Sequence, residues 1–400
     1  MKEQHDSFLE TLPAGWTFDR LKDVVTLRNE KTDEASADED YLELEDIETS
    51  TGRILNRRNT LEVESAVTIF KKGDILFGKL RPYLEKYYTA DFDGRCTGEI
   101  LAFKPERIAS RFLFYCVGSR WFIERCNALA YGAKMPRVSW PTQLAQFNVP
   151  LPPRPEQERI AAYLDASCAA IDAAVAAKCR QIETLDSLRK TTIHRAVTQG
   201  LNPGVSKKSA GLDWLAEVPA HWAPSRIKNI AKLSPGYSGR PPVNDEMCTF
   251  VPMEFLSEAG TLDTTSLLVF EDVSGGLTLF EVGDVLFAKI TPCMENGKGA
   301  FVESLPSRYA FGSTEFHVLR PSCAINGKFL YYYTYNPIFR AYAAENMSGA
   351  AGQKRVSSQF LKETRLFVPP LSEQLKIISF LTAKDKEFRT LFVEPPSRGV

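Results

Sequence analysis

The sequence predicts a mixed α/β chain made of two pseudo-repeated globular domains separated by long helices of coiled-coil character. Three observations predict it. Landmarks recur in the same order at offsets between 206 and 217 residues. Within each copy, short apolar runs opened by turn residues alternate with aromatic stretches at helical spacing. Between the copies lies a segment whose apolar residues recur every three or four positions. At 400 residues the chain has room for two to three domains of roughly 150 residues each. Its 44% hydrophobic and 25% charged residues are ordinary for a globular protein.

The repeat shows first in Leu12-Pro13-Ala14-Gly15-Trp16, which returns as Val218-Pro219-Ala220-His221-Trp222. Gly73-Asp74-Ile75-Leu76-Phe77-Gly78-Lys79 returns as Gly283-Asp284-Val285-Leu286-Phe287-Ala288-Lys289, and Thr97-Gly98-Glu99 as Ser313-Thr314-Glu315. Arg137-Val138-Ser139 matches Arg355-Val356-Ser357, and Pro152-Pro153 with Glu156-Gln157 matches Pro369-Pro370 with Glu373-Gln374. The expected organisation is domains at 1–150 and 206–370, a central helical spacer at 151–205 and a distal helix at 371–400.

In chain order, residues 28–40 read as a polar acidic loop. Gly73–Gly78 and Gly283–Ala288 suit turns feeding buried strands. Residues 111–126 and 328–344 read as packed helices, and Gly132–Arg137 and Gly349–Arg355 as loops of small and basic residues. After the first copy, Pro155 fits the first position of a helix with Glu156 and Glu158 at its positive end. The seam Leu164, Cys168, Ile171, Val175, Cys179, Ile182, Leu185 and Leu188 runs until Gly200 and Pro203 stop it. A helix from Glu156 to Thr198 spans about 64 Å at about 1.5 Å per residue. Such a seam needs a partner, and the distal helix offers Ile378, Leu381, Phe388 and Leu391. Glu394-Pro395-Pro396 ends that helix after about 20 residues, roughly 30 Å. Half of the seam is then expected to lack it, Ile182, Leu185 and Leu188 included.

Composition excludes several classes. No apolar run approaches the roughly 18 residues of a membrane span, and the polar start lacks a signal peptide's apolar segment. Eight cysteines without C-x-x-C spacing fit a reduced, cytoplasmic protein rather than a disulfide framework or zinc site. Four scattered histidines leave little for nucleophile–base or metal sites. Gly73-x-x-x-x-Gly78-Lys79 nearly spells a phosphate loop, but Leu80 follows where Ser or Thr is required. Asn336-Pro337-Ile338-Phe339 is one residue away from the Asn-Pro-Pro-Phe loop of DNA methyltransferases, yet no glycine-rich cofactor loop accompanies it. Asp74 and Asp284 are explained as turn residues before strands. No catalytic centre, cofactor or metal is therefore expected in this chain.

No segment is broadly basic: residues 1–150 hold 21 basic against 24 acidic groups, and 206–370 hold 16 against 16. Nucleic-acid binding then requires local patches. Arg53, Arg57 and Arg58 lie in a stretch free of acids. Lys79, Arg81 and Tyr83 follow the first Gly-Asp strand; Lys289, Thr291, Asn296 and Lys298 follow the second. Lys134 and Arg137, with Lys354 and Arg355, sit in the paired loops. Arg and Lys on turns beyond a strand can bridge phosphates or pair with guanine, and Asn with adenine.

GDILFGKLRPYLEK (73–86), GDVLFAKITPCMENGKGA (283–300), WLAEVPAHW (214–222), LPPRPEQ (151–157) and VPPLSEQ (368–374) resemble the type I restriction-modification specificity subunit family, over essentially the whole chain. The resemblance implies two target-recognition domains that each read half of a split double-stranded DNA site. It implies two helices paired as an antiparallel coiled coil that bind modification subunits. S-adenosylmethionine, ATP and magnesium chemistry then belongs to modification and restriction partners. A self-sufficient methyltransferase or nuclease, for which the cofactor loop is missing, and a coiled-coil scaffold without DNA binding are the alternatives.

Overall fold

The structure, a computed structural model, describes residues 13–32, 40–59, 67–273, 275–350 and 352–392. Most of the acidic 28–40 loop and the segment Glu394-Pro395-Pro396 lie outside them, as does the Leu391 side chain. The chain divides into two compact units, residues 1–176 and 177–400, with the break inside the central helix.

Each unit is built around a four-stranded antiparallel sheet. In the first its order is Val25–Leu27, Ile100–Pro105, Ile75–Gly78, Tyr87–Thr89; in the second it is Ala231–Leu233, Phe316–Pro321, Val285–Ala288, Gly299–Phe301. Ile75–Gly78 and Val285–Ala288 are wholly buried, which is why they read as unbroken apolar runs rather than alternating ones. A second, mixed sheet completes each core, with five strands among the described residues in the first unit and four in the second: Val67–Phe70 pairs with Gly94–Cys96 in the first, Thr278–Phe280 with Ala310–Gly312 in the second. Helices Ser110–Val117 and Arg120–Leu129 bury Phe112, Leu113 and Phe122; Gly327–Tyr335 and Pro337–Glu345 bury Phe329, Leu330 and Phe339.

The turn aspartates are spent on local structure. Asp74 accepts the Lys71 N–H at 2.8 Å and the Arg28 guanidinium at 2.6 Å. Asp284 accepts the Glu281 N–H at 2.8 Å and the Arg320 guanidinium at 2.7 Å. Gly78 belongs to a strand, and a Cβ there would stand 2.7 Å from Leu44, so close packing accounts for this glycine. Asn336 caps the helix Pro337–Glu345 by accepting the Ile338 N–H at 3.1 Å.

The central helix runs Arg154–Gln199 and stops at Gly200, whose φ is +73°. Its first turn is bolted to the first unit by Gln157, which accepts the Ala109 N–H at 2.7 Å and donates to the Pro152 carbonyl at 2.8 Å. Gln374 does the same at the start of the distal helix, accepting from Asn326 and donating to Pro369, both at 2.8 Å. These braces explain the recurring Gln.

The distal helix, Leu371–Phe392, lies antiparallel beside the last turns of the central one. Ile193, Ala196 and Val197 share a core with Ile377 and Leu381, and Arg189 pairs with Asp385 at 2.8 Å. The covered face therefore continues C-terminally beyond the seam read from the sequence. Of that seam, Leu164 and Leu185 are half-buried, whereas Cys168, Ile171, Val175, Ile182 and Leu188 are exposed. On the distal helix, Leu381 and Phe388 are buried and Ile378 half-buried.

One expectation is corrected. The central helix is long and apolar enough by length and composition to cross a membrane, with an 18-residue window of mean hydropathy 1.5. The stretch escapes notice because its hydropathy comes largely from alanine, with Asp165 and Asp172 interrupting it. Asp165 receives Arg111 at 2.6 Å, and Asp172 receives Arg53.

Trp222 is 1% exposed and donates its indole N–H to Glu373 at 3.2 Å. Trp222→Ala is expected to lower the stability of the second unit by about 3–5 kcal/mol. Val175→Ala, on the exposed helix face within the first unit, should change that unit's stability by less than about 0.5 kcal/mol. Denaturant titration of the full chain, followed by hydrogen exchange in each unit, separates the two.

Candidate nucleic-acid interface

The strongest common feature of the two units is a clasp at the end of the buried strand. In the first, the Lys79 N–H donates to the Glu99 carbonyl at 2.9 Å and the Lys79 carbonyl accepts from Val138 at 3.0 Å. The Glu99 carboxylate receives the Arg137 guanidinium through Nε at 3.1 Å and Nη2 at 3.2 Å. In the second, the Lys289 N–H donates to the Glu315 carbonyl at 2.9 Å, and the Lys289 carbonyl accepts from Val356 at 2.8 Å. Arg355 grips Glu315 through Nε at 3.1 Å and Nη2 at 2.8 Å. Arg137 also donates to the Met135 carbonyl and Arg355 to the Gln353 carbonyl. These two arginines thus hold their own loops, and each forked guanidinium is occupied.

Each clasp fixes a lysine at the mouth of a cleft. The first cleft, about 460 Å³, is lined by Asn29, Lys79, Tyr131 and Trp140. The second, about 290 Å³, is lined by Thr278, Lys289, His317 and Ser358. Among the described residues, the ammonium groups of Lys79, Lys134, Lys289 and Lys354 have no hydrogen-bond partner. Around the first lysine, Tyr83, Tyr131 and Met135 are 53%, 61% and 46% exposed. Arg81 sits at φ +50° between them, donating to the Lys134 carbonyl at 3.2 Å. Exposed rings and unpaired cations on one rim can stack on bases and meet phosphates.

The remaining candidates are engaged. Arg57 stacks over Phe92 at 4.0 Å and faces Asp40 and Asp91. Arg58 meets Glu43, Glu45 and Asp46. With Arg53 on Asp172, the acid-free stretch of sequence is neutralised in space by carboxylates from elsewhere. In the second unit, Asn296 donates to Glu258 at 2.8 Å, Lys298 to the Met253 carbonyl at 3.1 Å and Thr291 to the Gly352 carbonyl at 3.2 Å. These groups shape the turn. The two clasp glutamates were not singled out by sequence; their signal was recurrence as a repeat landmark.

Electrostatics differ between the clefts. Arg355 holds the Glu315 carboxyl below its ordinary range. His317 donates from Nε2 to the Val356 carbonyl at 2.8 Å, so Nε2 carries the proton. Burial lowers its pKa below the ordinary 6.5, against the Val356 hydrogen bond, with Lys289 also lowering it and Glu315 raising it. The first copy has Leu101 at this place.

The chain matches the family described as "Type I restriction modification DNA specificity domain" twice, over residues 13–183 and 219–391. It is 35% identical over 164 residues to the type I restriction enzyme EcoAI specificity subunit of Escherichia coli, a stretch covering 40% of this chain and 28% of that protein. It is 24% identical over 397 residues to the putative type I restriction enzyme MjaX specificity subunit of Methanocaldococcus jannaschii, covering 94% and 88%. The matched stretch thus spans less than a third of the EcoAI subunit's length. Among solved structures, a type I restriction-modification assembly chain has a TM-score of 0.72 at 20% identity, covering 95% of this chain and 93% of that one. The HsdS subunit of Thermoanaerobacter tengcongensis has a TM-score of 0.56 at 19% identity, covering 95% and 92%. These two likenesses are of fold.

The lowered His317 value has a pH consequence. The unfolded chain takes up this proton first, so stability falls as pH drops below about 6.5 and is unaffected by this group well above it. His317→Leu should flatten the melting temperature of the second unit between about pH 7 and pH 5.5 relative to the parent. An unchanged slope would assign the dependence to other groups.

Proposed function

Because the chain belongs to the type I restriction-modification DNA specificity family, we propose that it is the DNA-recognition subunit of such a complex, reading a bipartite duplex site with one repeat per half. The observation that carries this reading is the clasp: the same lysine is fixed by the same Glu–Arg pair at the same strand end in both units, while the surrounding turns differ. A common frame with different turns is what two readers of unlike half-sites require, since phosphate contacts position the protein and base contacts specify. Lys79, Lys134, Lys289 and Lys354 supply cations to phosphates or guanine, with Tyr83 and Tyr131 beside them in the first reader.

In this reading the chain is not an enzyme. Methyl transfer with S-adenosylmethionine and ATP- and magnesium-dependent cleavage belong to modification and restriction subunits, the partners are those subunits and duplex DNA rather than a membrane, and the complex works in the cytoplasm. Domains at 1–150 and 206–370 serve as the readers, with the helices at 151–205 and 371–400 between and after them. The seam residues exposed on the central helix, Ile171, Val175, Ile182 and Leu188, are available to a modification subunit.

Long-read mapping of methylated sites in cells carrying the whole system tests the reading. Exchanging residues 206–370 for those of a relative should change one half of the motif and preserve the other; a change in both halves, or in neither, overturns it. Lys79→Ala and Lys289→Ala should each weaken binding. A lost phosphate contact lowers the salt dependence by about one counterion, whereas a lost base contact relaxes one position by about 1–3 kcal/mol. The purified chain alone should neither methylate nor cut DNA.

A further inference from the structure

The second reading turn is built over a buried cation that the first lacks. Arg340, in the helix Pro337–Glu345, is 4% exposed, and its donors go to backbone carbonyls rather than to a carboxylate. Nε donates to Thr334 at 3.0 Å, Nη1 to Met294 at 2.6 Å and Nη2 to Lys298 at 3.2 Å. The guanidinium lies 4.7 Å from the Phe287 ring centroid and 5.9 Å from that of Tyr335. A charge this deep is costly unless its hydrogen bonds are made. Burial pushes its pKa down to about 10, which leaves it charged at neutral pH. Met294 and Lys298 bracket the far side of the turn between Ala288 and Gly299, so two of the three bonds close that turn on itself.

Room for the guanidinium comes from a reciprocal exchange of size between the copies. Strand register sets Gly299 opposite Phe287 as it sets Tyr87 opposite Phe77. A Cβ at Gly299 would stand 2.9 Å from Arg340 Nη2. In the first unit Tyr87 fills the place, and Gly118 gives way to it: a Cβ at Gly118 would stand 2.5 Å from the Tyr87 ring. The repeat places Tyr335 where the first copy has Gly118, and Ile123 where the second has Arg340. The Tyr87 hydroxyl donates to the Ser50 carbonyl at 3.0 Å, and the Tyr335 hydroxyl to the Glu258 carbonyl at 2.9 Å. Ser50 and Glu258 each stand two residues before an equivalent positive-φ glycine, Gly52 and Gly260. Both copies therefore hold the same carbonyl with a tyrosine. The tyrosine comes from the strand in the first and from the helix in the second, and the second arrangement leaves space for Arg340.

Resting on the DNA-reading role above, we propose that Arg340 is a positioning residue for recognition by the second repeat alone: it clamps the 290–298 turn, which Asn296 and Lys298 shape from within, so that Lys289 beside it meets its DNA half-site in one geometry. The first reader does not depend on it.

The test uses the full chain assembled with its modification subunits and a random duplex library, with hydrogen exchange on the same preparation. Arg340→Lys keeps the charge but cannot fork to three carbonyls. It should relax one half of the selected motif on the order of tenfold while the other half is unchanged. Amide exchange across 294–298 should accelerate on the order of tenfold or more. Retention of both half-sites at parental stringency overturns the proposal, as does an equal loss of both halves with a lowered melting temperature, which marks a structural role only. Selection of no split motif by the parent chain overturns the DNA-reading role instead. If Arg340→Lys fails to fold, Tyr335→Phe, which removes one hydroxyl from the same support, must loosen the turn and relax the same half; if it does neither, the proposal is overturned.

Discussion

At the end of the buried strand in each unit, a carboxylate from one neighbouring segment and a guanidinium from another close around a single lysine. Glu99 with Arg137 and Glu315 with Arg355 do more than form an ion pair. The glutamate's own carbonyl receives the lysine N–H, and the residue after the arginine donates to the lysine carbonyl. The loop that carries Lys134 or Lys354 is thus docked to the strand by main chain on both sides and by a forked contact between. Both clefts, and Lys79 and Lys289 at their mouths, depend on that docking.

Within this shared frame the two units solve the same packing problem differently. A buried aspartate stabilises the Gly-Asp turn in both, but its guanidinium partner is Arg28, just past the strand Val25–Leu27, in one and Arg320, within the strand Phe316–Pro321, in the other. A tyrosine hydroxyl holds the carbonyl of Ser50 or Glu258, but from a strand in one and from a helix in the other. Such exchanges keep volume and hydrogen bonding satisfied while the surface turn is rebuilt, and close-packed interiors tolerate little else. Two copies diverging on one frame would be expected to accumulate changes of this kind.

The helices follow a different logic. Each begins at a glutamine brace, Gln157 or Gln374, whose amide satisfies main-chain groups of its own unit. The distal helix then covers the turns from Arg189 onward, with Ile193 and Val197 against Ile377 and Leu381. The exposed Ile171, Val175 and Ile182 upstream form an apolar stripe of the sort that marks a docking face rather than a core.

The duplication, the buried strands, the extent of the central helix and the lysines beyond the strands were all legible in the amino-acid sequence. Each is written in local pattern: ordered landmarks, an apolar run after Gly-Asp, steps of three and four, a stop at glycine. What only the tertiary structure decided is which charges remain free. Arg53, Arg57 and Arg58 look like a patch because no acid lies near them in the chain, yet Arg53 meets Asp172 and Arg57 meets Asp91. Arg137 and Arg355 look like contacts and prove to be braces, and Arg340, unremarkable in sequence, lies beneath the turn that holds Met294 and Lys298. Electrostatic pairing is a property of distance in space, and the partners here are separated by tens of residues to more than a hundred. Periodicity can place a side chain on an element, but only the fold can say what stands opposite it.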